Sequence, residues 1–225
     1  MTRAVGALLR KELRLELRTW QVVPAMALFS VTTLVVFHFS LQRDTVAGSL
    51  AAGVLTVTLL FSAILGVNRL FVADQEEGGF DGFLLAPVDR TAMLVAKALA
   101  LAAFLVVLEL VAVPAFAFLL LDPALTGELL AKTALVLLLA DAGIAVVGTL
   151  VGALAIQTRS RDLIVPIVAL PLLLPVVIGT AKALAPALAA GGPGALPGRW
   201  LLILGLYDLV FGLLAYAVFD FLLED

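Results

Sequence analysis

Cysteine is absent from the 225 residues and histidine occurs once, at His38. The first absence excludes disulfides, thiolate metal sites, iron–sulfur ligation and covalent haem attachment within the chain. The second excludes a bis-histidine site within one copy. Charge is scarce too: Asp, Glu, Lys and Arg make up 14% of the residues, against roughly 25% in an average soluble domain. There is no G-x-x-x-x-G-K-[ST], no H-E-x-x-H and no G-x-S-x-G, so any nucleotide energy has to be supplied by a partner. The net charge of −3 comes without a basic tract of the kind that grips nucleic acid.

What fills the chain is apolar: 63% of the residues, with a mean hydropathy of +1.18. Six apolar segments, at 20–41, 46–67, 92–121, 132–156, 163–184 and 200–219, approach or pass the ~20 residues that a helix needs to cross a bilayer. They are expected to be helices, because a backbone in lipid must satisfy its own hydrogen bonds. A β-barrel needs short alternating strands, and LLILGLYDLVFGLLAYAV does not alternate. The N-terminal segment is charged throughout residues 2–18, and the apolar run after it is too long for a signal h-region of ~7–15 residues. It reads as an uncleaved first span behind a separate helix. The predicted fold is an all-α membrane protein: a cytoplasmic amphipathic interfacial helix at 1–19, then a six-helix domain at 20–225 with a cytoplasmic loop at 68–91.

Lys and Arg set the expected orientation. With the N-terminus inside, the inner side collects Arg3, Arg10, Lys11, Arg14, Arg18, Arg69, Arg90, Lys97, Arg159 and Arg161, and the outer side only Arg43, Lys132, Lys182 and Arg199. Both termini are therefore expected in the cytoplasm.

Two inner features are informative. In TRAVGALLRKELRLELRT the basic residues share one sector of the helical wheel and leucines cover most of the rest, as suits the interface of an anionic leaflet. Glu12 and Glu16 interrupt the apolar sector. They are expected to meet an Arg or Lys of an inner loop, or a partner subunit. The second feature is the loop NRLFVADQEEGGFDGFLLAPVDR, acidic at Asp74, Glu76, Glu77, Asp81 and Asp89. Phe80, Phe83 and Leu84 have i, i+3, i+4 spacing and form an apolar edge on a short helix, which Gly78–Gly79 turns into and Pro87 ends. An acidic helix with an aromatic edge suits a groove on a basic cytoplasmic protein better than an anionic membrane surface. The expected docking element is 74–87.

Inside the spans lie Glu109, Asp141 and Asp208, with Lys182 near the outer end of span 5. A mid-bilayer charge costs at least ~2.5–3.5 kcal/mol, so such groups face the bundle, pair or protonate. They read either as a polar path or as hydrogen bonds between helices; the second is preferred, because three acids with one base look like bundle glue. His38, near the outer end of span 1, reads as an interfacial residue rather than a haem ligand. Pro166, Pro171 and Pro175 remove three backbone donors in span 5, which predicts a bent or partly broken helix, either lining a cavity or packing as a kinked helix. Gly143, Gly148 and Gly152 allow close approach along span 4.

These pieces together resemble one family. The helix carrying KELRLELRT, the loop RLFVADQEEGGFDGFLLAPVDR running on to Lys97, and TRSRDL followed by LPLLLPVVIGTA resemble the haem exporter protein B (CcmB) family, the membrane subunit of the cytochrome c maturation ABC complex. The resemblance covers nearly the whole chain. The family's loop pattern fits Arg69, Leu70, Phe71, Asp74, Gly78, Leu84, Leu85, Pro87 and Lys97, and its two prolines fit Pro171 and Pro175. The resemblance implies an ABC-2-like permease fold, present in two copies and docked on the ATPase CcmA, with CcmC and CcmD beside it and the haem chaperone CcmE as client. It implies a bacterial inner-membrane subunit without catalysis or bound cofactor of its own, ATP being held by the ATPase and haem handled by the complex. The residues expected to couple to the ATPase are Asp74, Glu77, Gly78, Phe80, Phe83, Leu84, Leu85 and Pro87. Glu12, Glu16, Arg69, Lys97, Arg159 and Arg161 are expected to make inner-loop and interfacial contacts. A generic ABC-2 exporter of another lipophilic substrate is the alternative. An ion-coupled carrier using Glu109, Asp141 and Asp208 fits less well, since it leaves the Phe-edged loop without a purpose, and a passive scaffold is the fourth reading.

Overall fold

The computed structural model describes residues 2–41, 43, 45–70, 90–122, 125–156 and 161–222. Among them are seven helices: α1 (Thr2–Thr19), α2 (Val22–Ser40), α3 (Gly48–Arg69), α4 (Arg90–Leu119), α5 (Gly127–Ile156), α6 (Arg161–Ala187) and α7 (Gly198–Leu222). The last six are long and apolar enough to span a membrane, and they match the six apolar segments of the sequence to within a few residues at most ends. No strand occurs among the described residues; Val46 and Leu121 form a lone bridge.

The bundle has the polarity expected in lipid. Large apolar side chains such as Leu28, Phe39, Leu110, Phe118 and Leu202 point outward and are more than two-thirds exposed, which in water would be an unsustainable surface. Small hydroxyls point inward. Ser62 and Thr149 are buried and give their hydroxyl protons to the Thr58 and Ala145 carbonyls one turn back, at 2.9 and 2.7 Å. Helix α3 is the most buried span, and α2 and α7 are the most exposed. Helix α6 packs along α3 and α5, α7 rests on α5 and α6, and α4 touches α2, α5 and the amphipathic α1.

Helix α1 turns into α2 at a tight corner. Trp20 takes a left-handed backbone (φ +49°), the conformation that commonly ends a helix, and its indole lies exposed. Gln21 offers the new helix no side-chain cap. The Glu16 carboxylate does so instead, accepting the Val22 and Val23 backbone N–H groups at 3.0 and 2.8 Å. One of the two unexplained acids of α1 is therefore a cap for the next helix, satisfying donors that a helix start leaves unpaired.

The opposite end of the bundle is tied by backbone. Val46 N–H donates to Leu120 C=O at 2.6 Å, Asp122 N–H to Val46 C=O at 3.0 Å, and Gly48 N–H to Leu188 C=O at 2.6 Å. His38 Nδ1 lies 2.6 Å from the Leu119 carbonyl, so the sole histidine clamps the end of α2 to the end of α4. Lys132 reaches the Gly/Pro-rich loop and donates to the Pro193 and Gly194 carbonyls, both at 3.0 Å.

One expectation needs correction. Span 5 is not broken: α6 runs without interruption through Pro166, Pro171, Pro175 and Pro186. Pro171 and Pro175 lie on the exposed side of the helix, whereas Val165, Ala169, Leu173 and Val176 form its buried side. The missing donors thus fall mainly away from the packed face. Next to the Pro171–Pro175 step, the Leu172 carbonyl accepts the Tyr207 hydroxyl of α7 at 2.6 Å and ties the two helices together; the carbonyls that Pro171 and Pro175 leave without a helical donor are those of Ile167 and Pro171.

Candidate functional site

Two polar constellations stand out from this apolar frame. The first lies at the end of the bundle that carries α1. Glu12, on the face of α1 turned to α4, has a side chain only 10% exposed, and its Oε2 lies 2.9 Å from Lys97 Nζ, itself 3% exposed. Lys97 also donates to the Leu70 carbonyl at 2.8 Å, and Lys11 lies further from Glu12, at 3.8 Å. One ammonium therefore joins three elements: the amphipathic helix, the last turn of α3 and the first turns of α4. The latter two flank residues 71–89, so the latch gathers both ends of the segment expected to dock a partner. A buried ion pair of this kind holds only while both charges keep their hydrogen bonds.

The second constellation lies within the membrane-spanning part. Glu109 of α4 and Asp141 of α5 line one small cavity between their helices. Asp208 does not join them. Its Oδ1 faces α5 at Gly143, where an added Cβ would come within 2.7 Å of it. Beside Asp208, Tyr207 stacks on Phe211 with ring centroids 4.3 Å apart. Two of the three acids thus share one cavity and the third lies apart from them. Lys182 is exposed on α6. Among the described residues no three His, Asp or Glu side chains gather as a metal site.

Glycines bring the spans together around these groups. A Cβ at Gly148 would stand 2.6 Å from Val67 Cγ2 and 3.0 Å from Leu101 Cδ2, and one at Gly66 would stand 2.9 Å from Met26 Sδ. Helices α2, α3, α4 and α5 meet there without room for side chains, one turn of α4 deeper in the bundle than Lys97.

With the geometry in place, comparison with known proteins decides the family. The model of the CcmB family, described as CcmB protein, matches residues 3–221. The chain belongs to the CcmB family. Relatives named heme exporter protein B are 33% identical over 179 residues in Bradyrhizobium diazoefficiens, covering 78% of each chain. In Rhodobacter capsulatus the figure is 34% over 174 residues, covering 76% of this chain and 78% of the relative. In Paracoccus denitrificans it is 30% over 189 residues, covering 83% and 85%. The family resemblance read from the loop and the last two prolines is thereby shown across the chain.

The predicted CcmB-family site residues fall into three groups. Glu12, Glu16 and Lys97 all bind within the chain, Glu12 and Lys97 to each other. Arg69 is exposed at the end of α3, and Arg161 opens α6. Asp74, Glu77, Gly78, Phe80, Phe83, Leu84, Leu85, Pro87 and Arg159 lie outside the described residues. Sequence reading missed the Leu70 carbonyl, Thr56 and Thr180. The backbone group left no signal; the two threonines were visible as hydroxyls in apolar spans, but nothing marked them as neighbours of Glu109 and Asp141.

Proposed function

We propose that this chain is the membrane permease subunit of an ABC-type haem exporter, passing the work of a partner's ATP hydrolysis to haem delivery or to release of a haem-loaded chaperone. The observation that carries this reading is membership of the CcmB family over residues 3–221, with relatives named heme exporter protein B. The absence of a P-loop motif puts ATP on another chain, and the sequence of 74–87 supplies the docking element. The Glu12–Lys97–Leu70 latch supports this reading. It ties both flanks of that segment to an interfacial helix, so movement of the docked ATPase is passed to α1, α3 and α4 together. The partners are an ABC ATPase of the CcmA type with CcmC, CcmD and CcmE, two copies of this chain stand in the complex, and both termini lie in the cytoplasm.

Phe83→Asp places a charge on the apolar edge of the docking element. It is expected to reduce co-purifying ATPase at least tenfold while membrane yield of this chain is unchanged, as read by quantitative pull-down and immunoblot. ATPase recovered at the normal ratio would remove 74–87 from the coupling role. Deletion of the gene is expected to abolish cytochrome c maturation; normal maturation would favour an exporter of another lipophilic substrate.

A further inference from the structure

Four spans donate oxygen to one small cavity. Thr56 of α3, Glu109 of α4, Asp141 of α5 and Thr180 of α6 line it, and its remaining walls are aliphatic. It offers about 20 Å³ to the centre of a water-sized sphere, where one water needs ~10–15 Å³ on that measure. Thr56, Asp141 and Thr180 are 4%, 5% and 2% exposed. The Thr56 and Thr180 hydroxyl oxygens and Asp141 Oδ2 have no hydrogen-bond partner among the described protein atoms. Each such oxygen is costly when buried without a partner. Three of them, from three helices, border one pocket of atomic size.

The charge balance points the same way. Two carboxyl groups that line one cavity repel each other unless a proton is shared between them, and with one proton the Glu109–Asp141 pair carries one negative charge. No cationic side chain lines the cavity. On the surrounding helices Arg69 is exposed at the end of α3, Lys97 is engaged with Glu12 and Leu70, and Glu128 and Lys132 pair at the far end of α5. Lys182 is exposed on α6, and Asp208 of α7 faces Gly143. An uncompensated charge at this depth is costly. A single monocation neutralises it, and hard cations take oxygen ligands. A divalent ion overcompensates the singly protonated pair, and the pocket is too small for the several waters that such an ion retains.

We propose that this cavity binds one small monovalent cation, either a sodium ion or a proton taken up by the carboxyl pair beside a water in the cavity. Its ligands are the Glu109 and Asp141 carboxyl groups and the Thr56 and Thr180 hydroxyls. The shared chemistry is a hard monocation held by oxygen, and its occupancy fixes the spacing of α3, α4, α5 and α6.

The test uses the full chain in lipid nanodiscs. Thermal unfolding is followed against sodium chloride, with choline chloride holding ionic strength constant, and against pH. Infrared difference spectra report protonated carboxyl groups. If sodium is the occupant, the unfolding midpoint rises saturably with sodium and not with choline. Asp141→Asn then abolishes the rise, and Thr180→Val shifts its half-point by about tenfold, as expected for loss of one ligand. If the proton is the occupant, sodium has no effect. The midpoint and the protonated-carboxyl band then rise together as pH falls, and both responses are lost in Asp141→Asn. Should Asp141→Asn fail to fold, Thr56→Val and Thr180→Val carry the same comparison. The proposal is overturned if both threonine variants respond like the parent, if the parent responds to neither cation, or if calcium stabilises it more than sodium does.

Discussion

Lys97→Met is expected to destabilise the folded chain by about 3–5 kcal/mol, the range for leaving one member of a buried ion pair without its partner. Lys97 is 3% exposed, so water does not readily replace the ammonium. The substitution strands the Glu12 carboxylate, which keeps the longer contact to Lys11, and takes a donor from the Leu70 carbonyl. Glu12→Gln is expected to cost less, because an amide still accepts the Lys97 proton and removes only the charge. The double variant Glu12→Leu/Lys97→Met is expected to recover much of the loss, since apolar replacement of a whole buried pair is often neutral. Unfolding across a detergent titration measures all three. Equal losses in Lys97→Met and the double variant would show that the pair is not coupled. If the latch also transmits force, the double variant folds yet matures less cytochrome c, which separates its mechanical role from its structural one.

Gly148→Leu is expected to cost at least about 1–3 kcal/mol, the usual penalty for overpacking, and to yield aggregated or poorly inserted protein. The first added carbon already falls 2.6 Å from Val67 Cγ2 and 3.0 Å from Leu101 Cδ2. Those side chains are 1% and 0% exposed, so neither has space to yield. Gly205→Leu is the matched control, because a Cβ there meets nothing within 4 Å. It is expected to give a monodisperse size-exclusion peak and unfold near the parent. Similar behaviour of the two variants would contradict the close approach of α5 to α3 and α4.

Much of the fold was legible because the bilayer leaves so few solutions. An apolar run of some 20 residues without alternation has to be a helix, and the six spans appear where hydropathy places them. The amphipathic α1 was equally plain, as was the need of Glu12 for a basic partner. Which base it meets was not plain, because Lys97 lies 85 positions away in the chain and only the packing of α1 on α4 brings them together. Glu16 was harder still, for its partners are backbone N–H groups that carry no residue signature. The prolines of span 5 do not break it, for a physical reason. Each removes a donor, but α6 turns Pro171 and Pro175 outward, so the missing donors fall mainly away from the packed face and the helix continues. Glu109 and Asp141 read singly as costly intramembrane acids, while their place on one cavity, with the hydroxyls of Thr56 and Thr180 around them, depends on helix rotations that periodicity in a uniformly apolar run does not define.

Under the proposed function, this CcmB-family chain couples a partner's ATP hydrolysis to haem handling. The most direct test is affinity purification of the tagged chain from its native membrane in mild detergent, with mass spectrometry of the partners and an absorbance scan for haem. The account predicts an ABC ATPase and a haem-handling membrane subunit in the same complex, with haem absorbance that disappears when that second subunit is deleted. A complex without any ATPase would contradict the account.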